Sequence, residues 1–441
     1  MTNLPDLEQL SEEDLLLLEE LLGDEYPVTA AQADMIDCAA AHPDSRAAGI
    51  HLAMRVEGGV SVERLRAAHD AMWDRHAAFR TTFRHTGDGW VQGVATGGTF
   101  PFTLRTAETF DDHLVRRVLN KHQREGFDLL GGGALARAEL VLTRDGTHLQ
   151  VWSFHHAVVD GYSLGLIWDD FTAHYNGLPH ASAPASFGEY ALWQREWLHG
   201  AEANGQQQRL LALAEPAVSP CTVRRPNPSI GSVDVAVPPD VHEAVARLGA
   251  ASATTTHMVL LAAYRHSVAA EGFLDASAPV WTPLAGRTDA RFASTVGMFA
   301  NAVPVFGGAA PASTVAGSLE EVKNGCITAM ECQSVPQREL PDVPVQALFA
   351  LQNTSSGSGA LSGSTTTVVR PDGVPQVAPI LEFYSPADRM FRTALSFGYR
   401  GGGLAGVLEH DRAVVPDEAA RLIAARFSET VALFASGTVP W

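Results

Sequence analysis

Apolar side chains recur along the first half of the chain with two different periods. The segment VERLRAAHDAMWDRHAAF, which starts at Val62, has the spacing of an amphipathic helix. Its apolar face consists of Leu65, Ala68, Met72 and Phe79. The segment ALARAELVLTRDGTHLQVWSF, residues 134–154, instead has the composition of two strands joined by a turn at Asp145–Gly146. The pattern therefore predicts that helices and strands alternate here.

The stretch SFHHAVVDGYSLGLIW, residues 153–168, follows the second of these strands. Ser163 is a suitable N-cap for a helix, and Asn176–Gly177 is a suitable end. The apolar stripe of that helix consists of Leu164, Ile167, Trp168, Phe171 and Tyr175. Two adjacent histidines, His155 and His156, are thus predicted to lie where a strand passes into a helix.

The second half of the chain begins after a proline-rich segment. Prolines are frequent between residues 184 and 228, which is typical of a crossing between two lobes. The pattern then predicts helices near 239–250 and 257–270 and a strand at Ala278–Trp281. The segment NTSSGSGALSGSTTTVV, from Asn353, predicts a long loop of the kind that often has a function. A length of 441 residues agrees with two lobes.

Charge and composition exclude several classes of function. Residues 1–25 are rich in Asp and Glu and lack Lys and Arg, which predicts an acidic N-terminal helix that packs on its own domain or docks a partner protein. The net charge of −19 argues against a nucleic-acid partner, because phosphates would be repelled. A signal peptide and a membrane span are not evident, so a cytoplasmic protein without a membrane partner is expected. The 4 cysteines lack metal-ligand spacing, so reduced thiols and no metal site are expected.

The run HHAVVDG, residues 155–161, combines residue types that each have a chemical use. A histidine can accept a proton near neutral pH and so serve as a general base. Asp160 can fix the turn through a hydrogen bond or an arginine partner, and Gly161 permits a backbone conformation closed to other residues, or a close approach. Adjacent residues at a strand end point in opposite directions. We therefore expect one catalytic histidine and one that shapes the turn; the alternative is two turn histidines without chemistry.

The string HHxxxDG resembles the core motif of nonribosomal peptide synthetase condensation domains, and further segments match that family in the same order. These segments are Val28–Gln32, RHAAFRTTF from Arg75, EGFDLLGGGALARAEL from Glu125, FGEYALWQREWL from Phe187, GRTDARFASTVGMFANAVPV from Gly286, Phe349–Asn353 and Gly403–Glu409. The resemblance covers residues 26–436. The segment QSVPQREL, from Gln333, departs from the family's sixth motif, HxxxPF, and leaves the choice of acceptor open.

The resemblance implies a fold of the α/β (α+β) class, with two chloramphenicol acetyltransferase-like lobes in a V around a central tunnel. After the acidic helix of residues 1–25, the N-terminal lobe is expected over 26–200 and carries HHxxxDG. The C-terminal lobe is expected over 201–441. It would contain a floor loop near 290–303 and a latch near 354–380 that crosses to the first lobe.

The resemblance also implies roles for individual residues. His156 would face the substrates, while His155, Asp160 and Gly161 complete the catalytic motif. Arg287 would form a structural ion pair with Asp160, and Asn353 would line the tunnel. Gln32, Arg80 and Asn301 would form a supporting network. For Arg80 and Asn301 we expect structural roles, because buried polar side chains usually complete hydrogen-bond networks.

The reaction implied is the transfer of an acyl or aminoacyl group from a phosphopantetheine thioester to an amine or hydroxyl, which forms an amide or an ester. The donor would arrive on an acyl or peptidyl carrier protein, and the acceptor would be a small molecule or carrier-bound. No bound cofactor is expected. The chain ends soon after the condensation unit, so it resembles discrete enzymes of antibiotic biosynthesis, including the ester-forming ones of enediyne assembly.

Two other functions remain open from the sequence. A coenzyme A-dependent acyltransferase shares HxxxD but would not be expected to contain RHAAFRTTF. A catalytically silent carrier-recruiting module shares the fold but often lacks motif residues that this chain retains, including both histidines, Asp160 and Gly161.

Overall fold

The computed structural model describes most of the chain. The described residues are 25–43, 45, 48–179, 183–214, 222–223, 228–275, 277–308, 314–352, 360–369, 384–385 and 389–436. The acidic helix expected before residue 25, Asn353 and most of the expected latch lie outside this set.

The elements of the first half follow the predicted alternation. The strands are β1 (Glu25–Pro27), β2 (Gly49–Gly58), β3 (Thr81–Thr86), β4 (Gly89–Val94), β5 (Phe102–Ala107), β6 (Ala136–Thr143) and β7 (Thr147–His155). The helices are α1 (Ala30–Ala41), α2 (Val62–Arg75), α3 (Asp112–Glu125), α4 (Gly161–Asn176), α5 (Phe187–Leu198) and α6 (Ala201–Leu213). The helix predicted from Val62 and the strand pair joined at Asp145–Gly146 are confirmed.

The second half contributes the remaining elements. The strands are β8 (Thr222–Val223), β9 (Ile230–Val237), β10 (Val280–Leu284), β11 (Asn301–Val305), β12 (Ala347–Gln352), β13 (Ser364–Val368), β14 (Arg389–Met390), β15 (Thr393–Arg400) and β16 (Gly403–Asp411). The helices are α7 (Pro239–Ala251), α8 (Thr256–Ala270), α9 (Val315–Glu331) and α10 (Asp417–Ser436). Both predicted helices are confirmed, and the strand expected from Ala278 starts at Val280. Within the described ranges, no helix is long and apolar enough to cross a membrane.

Two large sheets organise the chain, and each has its own core. One has the strand order β13-β2-β7-β6-β5, and the other has the order β11-β10-β12-β15-β16-β9. Trp152, Phe154 and Phe171 are fully buried against the first sheet. Tyr264, Phe349 and Phe397 are buried against the second. The predicted mixed α/β fold is confirmed, because helices and sheets share these cores. The expected boundary between the lobes at residue 200 stays a prediction.

One strand from the second half joins the sheet of the first half. β13 pairs antiparallel with β2, with Thr366 opposite Val56. The segment before it is also attached, because the Asn176 side chain donates to the carbonyl of Ala360 at 2.7 Å and accepts from the N–H of Ser362 at 2.9 Å. The expected latch from 354 to 380 therefore has a described part, residues 360–369, that crosses to the first sheet.

Helix α4 begins earlier than the sequence suggested. Its N-cap is Asp160, whose Oδ1 accepts a hydrogen bond from the N–H of Ser163 at 2.7 Å. The expectation that Ser163 caps the helix is wrong, because the carboxylate three residues earlier takes that position. Gly161 is the first helical residue and is not among the glycines with positive φ, so its expected special conformation is also wrong. The predicted end is confirmed, with Gly177 left-handed at φ 67°.

Candidate active site

The histidine pair lies at the end of β7, and the following turn leads into α4. Two backbone bonds anchor it: the His155 N–H donates to Leu135 O at 2.8 Å, and the His156 N–H donates to Ala48 O at 2.7 Å. Each histidine is only 6% exposed. The Ala157 N–H donates to Nδ1 of the His155 ring at 3.0 Å. Because a neutral imidazole carries one proton, this bond leaves the proton on Nε2 of His155.

Burial controls the protonation of both rings. It lowers the pKa of His155 to about 3, and the neighbouring His156 ring acts in the same direction. Burial also lowers the pKa of His156, to about 4. There the Asp160 carboxylate and hydrogen bonds to the backbone of His156 and Val159 oppose the burial effect. Both rings are therefore neutral at pH 7, since a buried imidazolium loses its hydration.

The carboxylate of Asp160 is fully buried and joins the histidine turn to the second half of the chain. Its Oδ1 accepts from Ser163, and its Oδ2 accepts from the N–H of Phe299 at 3.0 Å. A guanidinium nitrogen of Arg287 lies 3.4 Å from Oδ1. Residues that are distant in sequence thus share one carboxylate, which sets the position of the turn relative to the segment around Phe299.

Arg287 is itself held on several sides. Its guanidinium donates to the carbonyls of Phe292 at 2.8 Å and Thr295 at 2.7 Å, and to Oγ of Ser163 at 2.9 Å. It also lies 3.9 Å from the centre of the Phe299 ring, a cation–π contact. Burial lowers the pKa of Arg287, and the Asp160 carboxylate opposes this effect. The expected pair of Asp160 and Arg287 is therefore in contact and well supported.

Gln32 connects the first helix to the histidine turn. Its Oε1 accepts from the N–H of Thr29 at 2.9 Å, which completes the cap of α1. Its Nε2 donates to Oε1 of Gln92 at 3.0 Å and to the carbonyl of Ala157 at 3.2 Å. Ala157 directly follows the histidine pair, so Gln32 is bonded to the same turn as Asp160.

The side chains of Arg80 and Asn301 donate to backbone carbonyls. Arg80 donates to the carbonyls of Trp73 and Asp74 at the end of α2, the latter at 3.1 Å. Asn301 donates to the carbonyls of Gln333 at 3.0 Å and Val335 at 2.6 Å. Both side chains thus form hydrogen bonds with backbone carbonyl groups. Asn353 lies outside the described residues, and its tunnel-lining role stays a prediction.

A cavity of about 590 Å³ opens beside the turn and lies between the two halves of the chain. Its wall combines α1, residues 125–130, α5, residues 298–302, residues 333–337 and residues 384–385. His155 and Asn301 contribute to this wall, whereas His156 is not among the described lining residues. The assignment of the substrate-facing ring to His156 therefore stays a prediction.

Three further polar residues in the wall were not singled out from the sequence. The Tyr190 hydroxyl accepts from Nε2 of Gln194 at 3.3 Å, and Oε1 of Gln194 accepts from the N–H of Ala30 at 2.9 Å. Burial raises the pKa of Tyr190 and of Tyr384, and the charge of Asp160 adds to the effect at Tyr384. Tyr190 and Gln194 lie within FGEYALWQREWL, so that motif was the available signal, whereas Tyr384 lies in no quoted motif.

Comparison with known proteins identifies the fold. The structure of SgcC5 from Streptomyces globisporus, in complex with (R)-(-)-1-(2-naphthyl)-1,2-ethanediol and sucrose, superposes with a TM-score of 0.76 at 20% identity, over 94% of this chain and 100% of that one. The condensation domain of the Monacolin K polyketide synthase MokA gives a TM-score of 0.77 at 19% identity, over 94% and 98%. The α/β fold predicted from the sequence is thus the fold of condensation domains.

Sequence comparisons give the same result. Tyrocidine synthase 2 of Brevibacillus parabrevis is 27% identical over 367 residues, which is 79% of this chain and 10% of the synthase. Tyrocidine synthase 3 of the same organism is 29% identical over 328 residues, which is 72% of this chain and 5% of that protein. This chain thus spans a tenth or less of these relatives. A family model described as Condensation domain matches residues 23–353. The chain therefore belongs to the condensation-domain family.

Proposed function

We propose that this protein transfers an acyl or aminoacyl group from a phosphopantetheinyl thioester on a carrier protein to the amine or hydroxyl of an acceptor in natural-product biosynthesis. The observation that carries the proposal is the buried histidine pair, of which His155 lines a cavity of about 590 Å³ between the two halves of the chain. The diol bound to the similar protein SgcC5 supports a hydroxyl acceptor. The protein needs no cofactor of its own, because phosphopantetheine arrives with the carrier.

In the proposed reaction, the acceptor nitrogen or oxygen attacks the carbonyl carbon of the thioester. A tetrahedral intermediate forms, and the bond between carbon and sulfur then breaks. The acceptor's proton passes to the departing thiolate, so the products are an amide or ester and the carrier thiol. A neutral His156 would accept a hydrogen bond from the acceptor N–H or O–H and carry that proton. With a pKa of about 4, it is a weak base, so orienting the acceptor is a large part of its role.

The two histidines would have different roles because their nitrogens are engaged differently. Nδ1 of His155 already accepts the Ala157 N–H, so the His155 ring offers a donor at Nε2 and not a second basic nitrogen. This argument favours His156 as the base, although His155 is the ring in the cavity wall. A donor at Nε2 of His155 suits a substrate oxygen.

Matched substitutions test this division. We expect His156→Ala to lower the single-turnover rate of transfer from an acyl-carrier about 10² to 10⁴-fold, the usual range for general acid–base groups. His155→Asn keeps an oxygen that can accept the Ala157 N–H, and we expect it to lower the rate less. Thermal melting of each variant serves as the control for folding. A His156→Ala variant that retains the wild-type rate would contradict the assignment.

A coenzyme A-dependent acyltransferase and a silent recruitment module are the alternatives. Acyl-coenzyme A and the same acyl group on a carrier are compared as donors, with matched amine and alcohol acceptors. We expect transfer from the carrier and not from coenzyme A, and the acceptor that reacts identifies the bond formed. Equal rates with the two donors would favour the plain acyltransferase. Binding of the carrier without any transfer would favour the silent module.

A further inference from the structure

One arginine holds the part of the cavity wall that follows helix α3. Residues 125–130 line the cavity, and the helix ends among them, where the N–H of Gly126 donates to the carbonyl of His122 at 3.1 Å. Gly126 has φ 52°, a left-handed conformation that favours glycine. The side chain of Arg137, on β6, donates to the carbonyl of Gly126 at 2.7 Å and to that of His122 at 2.9 Å. Arg137 therefore fixes the point at which the helix passes into the cavity wall.

The same guanidinium covers the ring of Phe127. Its Cζ lies 4.4 Å from the ring centre, which is a cation–π contact. Phe127 lines the cavity, and its ring packs against the ring of His155, with the two centres 6.2 Å apart and the planes at 85°. A perpendicular arrangement at this distance is a favoured geometry for aromatic pairs. Arg137 is thus connected, through Phe127, to the histidine that borders the cavity.

The pairing of β6 with β7 places Arg137 on the same side of the sheet as this histidine. Arg137 lies opposite Ser153, and residues that lie opposite each other in an antiparallel pair share a face. His155 follows Ser153 by two residues on the same strand, so its side chain is on that face as well. The two strands therefore set the separation of Arg137 and His155, and Phe127 contacts both side chains.

The charge of Arg137 is directed at neutral groups. A buried charged group usually pairs with an opposite charge. The side chain of Arg137 is only 23% exposed, and within the described residues its one carboxylate neighbour closer than 4 Å is Glu125, at 3.9 Å, which is beyond hydrogen-bond distance. Burial lowers the pKa of Arg137, and the carboxylates of Glu125 and Glu139 oppose this effect. The close contacts of the guanidinium are two carbonyls and one ring, all in or beside the cavity wall.

A second arginine makes the same kind of contact outside the described cavity wall. Arg64, on α2, donates to the carbonyl of Tyr175 near the end of α4 at 2.8 Å, and its Cζ lies 4.3 Å from the centre of the Tyr175 ring. Neither residue is among the described lining residues. Both arginines thus stabilise a helix end and cover a ring, but of the two only Arg137 covers a ring that contacts His155.

We propose that Arg137 is a positioning residue that holds Phe127 against the His155 ring and thereby fixes the direction of the Nε2–H donor of His155. This inference rests on the proposed acyl transfer, in which that donor faces a substrate oxygen. Without the guanidinium, Phe127 loses the group that covers one of its faces, so the His155 ring loses a constraint on its orientation. A hydrogen bond weakens steeply as its angle departs from linear, so a tilted ring stabilises the reacting oxygen less.

The experiment compares substitutions of the two arginines, with one acyl-carrier as donor and the acceptor that reacts with it. Arg137→Met removes the guanidinium and keeps an unbranched side chain. We expect it to lower kcat about 10-fold and to leave the KM for the acyl-carrier within about twofold, because a misdirected donor affects the transition state more than binding. Arg64→Met is the matched control and should lower the melting temperature similarly, with kcat within about twofold of the wild type.

A milder substitution covers the case in which Arg137→Met does not fold. The ammonium group of Arg137→Lys can donate to a carbonyl but has no planar group to lie over the Phe127 ring. We expect its kcat to lie between those of the wild type and Arg137→Met.

Two measurements separate positioning from a loss of stability. In a His155→Asn background, Arg137→Met should lower kcat by less than about twofold, because the ring through which it acts is absent. In NMR spectra, the ring protons of His155 sense the ring current of Phe127, so their chemical shift should change in Arg137→Met and not in Arg64→Met. The His155 signal is identified by its loss in His155→Asn, and the spectra require no catalysis.

Three results would overturn the inference. They are a full effect of Arg137→Met in the His155→Asn background, an unchanged His155 signal in Arg137→Met, and an equal loss of kcat in Arg64→Met. Absence of transfer by the wild type, together with a changed His155 signal in Arg137→Met alone, would refute the proposed function and retain the positioning role of Arg137.

Discussion

The contact of Asp160 with Arg287 permits a quantitative prediction. Asp160→Asn keeps the size of the side chain but removes its charge. At 3.4 Å and an effective dielectric of about 20, the lost attraction to Arg287 is about 5 kcal/mol. Breaking a buried ion pair from one side typically costs about 3 to 5 kcal/mol. Asn can accept from only one of Ser163 and Phe299, so a backbone bond to a charged acceptor is lost as well.

We therefore expect Asp160→Asn to lower the free energy of unfolding by about 3 to 5 kcal/mol. The rate per folded molecule should also fall, because the carboxylate positions the turn that carries the histidines. Urea unfolding followed by tryptophan fluorescence is a suitable assay, since the chain contains 8 tryptophans. The transition midpoint gives the change in stability, and an acyl-transfer assay at low urea gives the change in rate.

A double substitution separates the ion pair from other effects. Arg287→Met alone leaves the Asp160 carboxylate buried with two backbone donors. In the Asp160→Asn background, the Arg287 guanidinium has lost its carboxylate partner. Replacing it by Met removes this buried charge, so the double variant should be more stable than the sum of the single losses predicts, by about 2 to 3 kcal/mol. Additive losses, or a midpoint for Asp160→Asn equal to that of the wild type, would refute the reasoning.

Two further predictions follow from local geometry. The pKa values of His155 and His156 are about 3 and 4, below the value of about 6.5 for an unfolded histidine. The unfolded state therefore binds more protons at acidic pH. The free energy of unfolding should fall as the pH drops from about 6.5 towards 4. The melting temperature measured as a function of pH checks this prediction. His156→Asn should show a smaller fall in melting temperature at acidic pH than the wild type, and equal falls for the two proteins would contradict it. Arg80→Ala should cost about 1 to 2 kcal/mol by freeing the carbonyls of Trp73 and Asp74, without changing kcat/KM of the folded protein. A lower kcat/KM at unchanged stability would instead connect Arg80 with the substrate.

The sequence determined those features that depend on neighbouring residues. Helical and extended periods located the helix from Val62 and the pair β6 and β7, because side-chain spacing reports which face of an element is buried. The HHxxxDG string and the ordered segments around it identified the family, and they placed His155 and His156 at the junction of a strand and a helix. The N-cap was misassigned within the same stretch, since Ser163 and Asp160 are both good caps and only the chain's path after β7 selects one.

The tertiary structure decided what depends on residues far apart in the chain. The Phe299 N–H reaches Asp160 across 139 positions, and β13 pairs with β2, although neither contact has a local sequence signal. The same packing sets which histidine borders the cavity. Whether a buried polar group has a hydrogen-bond partner depends on the packed structure, because its partners come from distant parts of the chain.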